Sequence, residues 1–245
     1  WDTQTEYEYG EEVLAEYNAD HGTAYIPLPK NAYTFTAAQL VSGRNEAVST
    51  IEIDKSGLTP DRYYTLAVRV KSNSLFHTVV YHISLSPICS DNRSTWKLVS
   101  CTSWMTGLEA YKRGLPQYMI DGDMTSRWES RYNAGGEGDI NPAEASTVFD
   151  MGKTFYYCGT TIIRRGDSYV TDLRGGYIAL SDDGENWTKV HDFDFGDKSN
   201  TSRTGTWGCE QWLSGRYVKI ATNRSNRNIL YEITEYVPTL AEKLR

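Results

Sequence analysis

No hydrophobic run in this chain approaches the roughly 18 residues that a membrane-crossing helix needs. The start, Trp1-Asp2-Thr3, has neither the basic opening nor the apolar stretch of a signal peptide. Positive charge is also short: 25 Lys and Arg against 32 Asp and Glu give a formal charge of -7. That field repels polyanions and leaves no footprint for nucleic acid or an anionic membrane surface, so a neutral or cationic partner suits it better. Cysteine is limited to Cys89, Cys101, Cys158 and Cys209. These are too few and too widely spaced for a disulfide framework, with no CxxC pair to suggest zinc, and they read as buried hydrophobes with free thiols. The four histidines, His21, His77, His82 and His191, are scattered. With no HExxH, P-loop, dinucleotide fingerprint or Ser/His or Cys/His arrangement, the chain reads as a non-enzyme.

Aromatic residues, by contrast, are plentiful: 18 Tyr and 7 Trp lead a 13% share, a supply of amphipathic surface that suits strands and binding loops. A chain of 245 residues, 39% hydrophobic, can bury one large all-β core or two ordinary ones. Residues 10–18 place Val13, Leu14 and Tyr17 on one helical face with acids in the first turn, and the His21-Gly22 step ends that helix. Beyond Pro29 the pattern turns to period two at 48–53, 63–70 and 79–85, as in strands of a sandwich. The polar stretch 87–94 marks a domain boundary. The second half predicts short strands at 96–100, 147–150, 160–164, 176–181, 217–221 and 229–236, separated by long polar loops, which suits a sandwich or jelly roll. The expected organisation is an immunoglobulin-like β-sandwich with one short helix over 1–88, a second β-sandwich over 89–237, and a short polar tail, Pro238 to Arg245.

Three segments of the second half carry a family resemblance. They are Ile120-Asp121-Gly122-Asp123-Met124-Thr125-Ser126-Arg127-Trp128-Glu129-Ser130, then Ile178 to Thr188 with its Ser181-Asp182-Asp183-Gly184 turn, then Gly215-Arg216-Tyr217-Val218-Lys219-Ile220 followed by Tyr231-Glu232-Ile233. Together they resemble the discoidin fold, the coagulation factor five/eight type C domain that includes the family 32 carbohydrate-binding modules, over about residues 96 to 237. In the first half, Tyr17-Asn18-Ala19-Asp20-His21-Gly22-Thr23-Ala24-Tyr25, with Leu28-Pro29 and Tyr33-Thr34, is similar to domain of unknown function 1735. The pairing implies a surface lipoprotein of glycan-degrading Bacteroidota, outward-facing at the outer membrane. Contact with the membrane would be through a lipid anchor only, and the expected assembly is a monomer.

Asp121-Gly122-Asp123 lets two carboxylates and the turn carbonyls converge on a hard cation, although an ordinary Asx turn uses the same residues. The resemblance implies a structural Ca2+ there, completed by Ser126 and Glu232. Ser181 to Trp187 reads as a hairpin turn rather than a catalytic acidic cluster. Arg165-Gly166-Asp167 spells an integrin-binding tripeptide, but its place after the apolar 161–163 strand gives it a better reading. In similar modules an arginine at this strand end reaches sugar hydroxyls, a role open to Arg164 or Arg165, with Arg165 favoured.

A sugar site needs an aromatic platform and planar polar groups on loops at one rim. The candidates are Trp104, Glu129, Tyr132, Arg165, Tyr169, Trp207 and Asn223, with Trp96 and Trp128 assigned to the core. The expected function is glycan binding by that rim, the resemblance leaning toward galactose, N-acetylgalactosamine or N-acetylglucosamine. Two rivals use the same residues: an adhesion or assembly protein whose rim holds a protein partner, and accessory modules of a glycoside hydrolase or peptidase.

Overall fold

The computed structural model describes residues 5–38, 46–72, 75–89, 92–226 and 230–243. The opening Trp1-Asp2-Thr3, positions 90–91 of the boundary stretch and Ile229 lie outside them. The chain divides into two compact units, Trp1–Ser86 and Pro87–Arg245. Both are built on β-structure, with one α-helix among the described residues.

In the first unit Thr5–Tyr9, Tyr64–Ser72 and Leu75–Ile83 form an antiparallel three-stranded sheet, and Tyr33–Thr36 pairs with Thr50–Ile53. Alternation along the central strand explains the layering. Tyr64, Leu66 and Val68 join Leu28, Ala32 and Leu58 in a core that Phe35, Ile51 and Ile53 of the smaller sheet also pack against. On the opposite face Ala67 and Val80 receive Val13 and Leu14 of the helix Glu11–His21. That helix ends where Gly22 takes φ 64° and its N–H returns to the Asn18 carbonyl, a left-handed cap that costs glycine little. Asn18 ties down the segment singled out in the sequence: its Oδ1 accepts from Thr23 Oγ1 at 2.7 Å and from the Tyr25 N–H at 3.1 Å, and its Nδ2 donates to the Tyr25 carbonyl at 3.0 Å.

The second unit has one large antiparallel sheet in the order Thr188–Asp194, Leu173–Ser181, Thr204–Ser225, Ala145–Ile163, Glu235–Glu242, with Lys97–Cys101 also on Ala145–Ile163. The strands expected at 147–150 and 160–164 are one strand of 19 residues, broken in register between Asp150 and Phe155 and again at Tyr157/Gly159. Each irregularity resets which face the side chains take, hiding the continuity from a period-two reading. The hairpin at Ser181 to Trp187 forms as expected. Asp183 accepts the Glu185 and Asn186 N–H groups at 2.8 Å each, and hydrogen bonds from Asn186 hold its carboxyl well below the usual range.

The stretch from Pro238 is not a polar tail. Glu235–Glu242 is a strand paired along Ala145–Ile163, and it buries Leu240 and Ala241. Ladder hydrogen bonds and one core leucine outweigh the polar look of Pro238 to Arg245. Leu240→Ala is therefore expected to destabilise the protein by about 2–5 kcal/mol, read by urea denaturation; an unchanged midpoint would return these residues to a tail.

The four thiols are free. Burial pushes Cys209 up to about 12 and Cys158 higher still, so both are poor nucleophiles at neutral pH.

Candidate functional site

A small sheet beside the large one gathers the charged groups. Arg113–Gly114 runs parallel to Arg127–Glu129, which pairs antiparallel with Glu232–Ile233. Trp128 and Ile233 lie in the core, so by strand alternation Arg127 and Glu129 share the other face. The register sets Arg113 beside Arg127 and Glu232 beside Glu129 on it.

Glu129, fully buried, accepts Arg113 Nε at 2.6 Å and Nη2 at 3.0 Å, and Arg127 Nε at 2.6 Å. Glu232, 1% exposed, accepts Arg165 Nη1 on both oxygens at 2.7 and 2.6 Å. Arg165 reaches the face from the loop after the long strand, and its Nη2 donates to Asp167. Tyr169, 44% exposed, sets its ring 4.8 Å from the Arg165 guanidinium, a cation–π contact. Burial pushes the Glu232 carboxyl up and the neighbouring Glu129 charge adds to this, against the pull of Arg165 and Arg127. Burial works against the Arg165 charge, but Asp167 and Glu232 outweigh it and hold Arg165 above its ordinary value.

This face unites Glu129, Arg165 and Tyr169 of the expected rim, and adds Arg113 and Arg127, which sequence reasoning missed. The period-two reading of Arg127-Trp128-Glu129 carries a signal for Arg127. Arg113 arrives through a parallel pairing that has no local signature. Glu129 differs from its expected role: fully buried, it orients the two arginines from beneath. Tyr132 is half-buried and close enough to act on the Arg113 charge. Arg164 is fully buried and donates to the carbonyls of Leu173, Asn200 and Ser202, so of the two candidate arginines only Arg165 belongs to the face. Within the Arg165-Gly166-Asp167 tripeptide, Arg165 pairs with its own Asp167 as well as with Glu232.

Three candidates lie elsewhere. Trp207 stands not on a loop but on the strand Thr204–Ser225, opposite Thr160, and packs against Phe193 at 5.7 Å and Phe195 at 5.1 Å between ring centroids, with Gly205 two residues earlier leaving room for the indole. Trp104 lies half-buried against the main core. Trp104 likewise belongs to a strand, Ser103–Met105, and not to a loop, and strand alternation turns each indole toward apolar neighbours, where covering its large ring surface is favourable. Asn223 Nδ2 faces Glu144 Oε2 at 3.4 Å, and Glu144 also accepts the Tyr177 hydroxyl.

The proposed cation donors separate in the same way. Glu232 is committed to Arg165, and the acid at the Asp121 turn is Glu235, whose Oε1 accepts the Gly122 N–H at 2.6 Å while Arg93 pairs with its other oxygen. The Asp123 carboxylate caps its own turn through Thr125 and takes Lys112 Nζ at 2.7 Å, which holds it well below the usual range. Among the described residues no three His, Cys, Asp or Glu side chains form a metal-binding group. The donor chemistry still fits a hard cation in a different form. The single Ser126 hydroxyl lies 2.8 and 2.9 Å from the two Asp121 oxygens, 2.9 Å from the Asp123 carbonyl and 3.2 Å from the Tyr118 carbonyl. One proton serves one of these four acceptors, whereas Ca2+ takes six to eight oxygens of this kind.

No curated protein matches the chain. Among solved structures, the C-terminal domain of a chitobiase from Bacteroides fragilis superposes with a TM-score of 0.53 at 21% identity, covering 65% of this chain and 100% of that one. A CBM32 module from Clostridium perfringens, in complex with GalNAc-beta-1,3-galactose, gives 0.51 at 17% identity, covering 61% and 99%. Both show the fold of the second unit. A family described as an N-terminal domain matches residues 1–75, the region that resembles domain of unknown function 1735. The F5/8 type C domain family matches residues 100–235, more than half of the sequence, and the chain belongs to that family.

Proposed function

We propose that the second unit is a non-catalytic glycan-binding module whose sugar sits on the Arg113, Arg127 and Arg165 face, with Tyr169 as the aromatic wall. The observation that carries this reading is the pairing of an exposed tyrosine ring with planar guanidinium donors at one rim, the combination a sugar needs for its apolar ring face and its hydroxyls. The sugar held by the C. perfringens module supports it, and a galactose, N-acetylgalactosamine or N-acetylglucosamine type of ring fits the same chemistry. A shallow rim burying one or two sugar units gives micromolar to millimolar affinity, roughly -8 to -4 kcal/mol, which multivalent display raises. Display at the cell surface rests on the likeness of the first unit to surface lipoproteins. Attachment through a lipid rests on the same likeness; among the described residues no helix is long and apolar enough to cross a membrane. In affinity electrophoresis Tyr169→Ala is expected to abolish retardation by the bound glycan with the melting temperature unchanged; full retardation would remove Tyr169 from the site.

The structural Ca2+ is part of the same proposal, with its donors revised: the Asp121 carboxylate, the Ser126 hydroxyl and the carbonyls of Tyr118 and Asp123, while Glu235 in place of Glu232 braces the turn through the Gly122 N–H. A cation that binds only the folded chain stabilises it by mass action. Chelation should therefore lower the melting temperature, Ca2+ should restore it, and Asp121→Asn should erase the difference. Identical melting with and without chelator would argue that the hydroxyl network alone closes this turn.

A further inference from the structure

The structure assigns the open edge of the strand Leu75–Ile83 to a second copy of this chain, paired antiparallel about a two-fold axis at Val79. That strand ends the three-stranded sheet of the first unit: Tyr64–Ser72 holds one side of it, and among the described residues no strand holds the other. An unpaired edge is a row of N–H and C=O groups ready for another chain. Which residues offer them follows from the neighbouring strand. The Thr65 N–H and C=O both bond to the segment at Ile26 and Leu28, and the Ala67 C=O accepts from Gly10, so these backbone groups turn away from Leu75–Ile83. Opposite them stand His82 and Val80, which therefore direct their own backbone groups to the open edge, and by alternation so do Phe76 and Thr78.

This edge lacks what keeps such edges apart. Residues 75–83 contain no Asp, Glu, Lys, Arg, Pro or Gly. The other edge of the same sheet, Thr5–Tyr9, carries Glu6 and Glu8, and the edge strand Thr188–Asp194 of the second unit carries Lys189, Asp192 and Asp194. Charge and proline are the usual guards of an edge. Here Leu75, Phe76 and Tyr81 are 78%, 67% and 46% exposed, with His77 and His82 exposed beside them.

The same nine residues complement themselves. Antiparallel pairing about Val79 sets Leu75 opposite Ile83 of the second copy, Phe76 opposite His82, His77 opposite Tyr81 and Thr78 opposite Val80, and the two-fold axis repeats each contact. Every pair is apolar with apolar, aromatic with imidazole, or two β-branched side chains, and no like charges meet. The Phe76–His82 and Thr78–Val80 pairs fall on the residues whose backbone groups face outward, so this register exchanges backbone hydrogen bonds at both. A charged peptide would find no counter-charge on this strand. One strand pair is a small contact, at or below about 1,200 Å², the size of reversible interfaces, and the dimer is accordingly a micromolar one. It replaces the monomer expected from the sequence and gives each assembly two second units, which raises avidity for a displayed glycan.

Sedimentation velocity of the full chain across the micromolar to millimolar range tests the inference, with a reversible monomer–dimer equilibrium expected. His77→Lys/Tyr81→Lys and His77→Glu/Tyr81→Glu each set like charges directly opposite at both 77–81 contacts. Each should raise the dissociation constant at least about tenfold with its circular dichroism native, and mixing the two variants in equal amounts should restore the dimer. Should either double variant fail to fold, Thr78→Pro, which removes an outward-facing N–H at an edge, takes its place with the same expected loss. A parent that stays monomeric at millimolar concentration, a dimer that persists unchanged in the folded variants, or a mixture of folded variants that stays monomeric would overturn the inference.

Discussion

Glu232→Ala is expected to cost the second unit roughly 3–5 kcal/mol, the range for breaking a buried ion pair from one side, and to abolish glycan retention with it. Both effects come from Arg165. Its Nη1 group donates to the two Glu232 oxygens at 2.7 and 2.6 Å, and Glu232 is almost wholly buried. Without that carboxylate the guanidinium keeps only Asp167 at the rim, and a largely buried cation loses its main counter-charge. The double variant Glu232→Ala/Arg165→Met separates the two effects. An apolar side chain removes the stranded charge, so stability should recover by a large part of the loss, whereas binding should not return. Urea denaturation reads the first quantity and affinity electrophoresis the second. A single variant as stable as the parent would mean that Arg165 is held by something other than Glu232.

Trp207→Ala is expected to lower stability by about 2–4 kcal/mol, below the full range for a completely buried tryptophan, and to leave glycan binding intact. The sequence points the other way, since a tryptophan in a polar loop of a glycan-binding family reads as a sugar platform. In the structure the indole meets Phe193 and Phe195 edge-on or tilted, so its removal opens a cavity beside the main core instead of emptying a binding site. Thermal melting in parallel with glycan titration checks it; lost binding at an unchanged melting temperature would restore Trp207 to the rim.

Trp207 and Arg113 show where the sequence is legible and where it stops. Period-two alternation exposes the strands around Ile178 and Val218 because each has one core face. The Asp-Gly turn at 183–184 carries its own turn chemistry, and the helix at Glu11–His21 carries its acidic first turn and glycine stop. These are local properties. The partners of Glu232 and Glu235 are not: the two acids stand three residues apart with only strand alternation around them, and which one meets the Asp121 turn depends on the register of Glu232–Ile233 against Arg127–Glu129. Arg113 reaches the site only because a two-residue strand lies parallel to Arg127–Glu129. An aromatic in a polar stretch is equally ambiguous. Tyr169 stays at the surface on the Arg165 guanidinium, whereas Trp207 stands on a strand and packs on Phe193 and Phe195, and nothing within a few residues of either distinguishes them.

The central claim is that the arginine face, and not Trp104 or Trp207, holds the glycan. It is tested most directly by a glycan-array screen of the intact chain in Ca2+, run beside Arg113→Ala. That side chain lies at the face, and its loss leaves Glu129 paired with Arg127. Selective binding by the parent and none by Arg113→Ala is the predicted result; equal binding by the two proteins, or a blank array from folded parent, would contradict it.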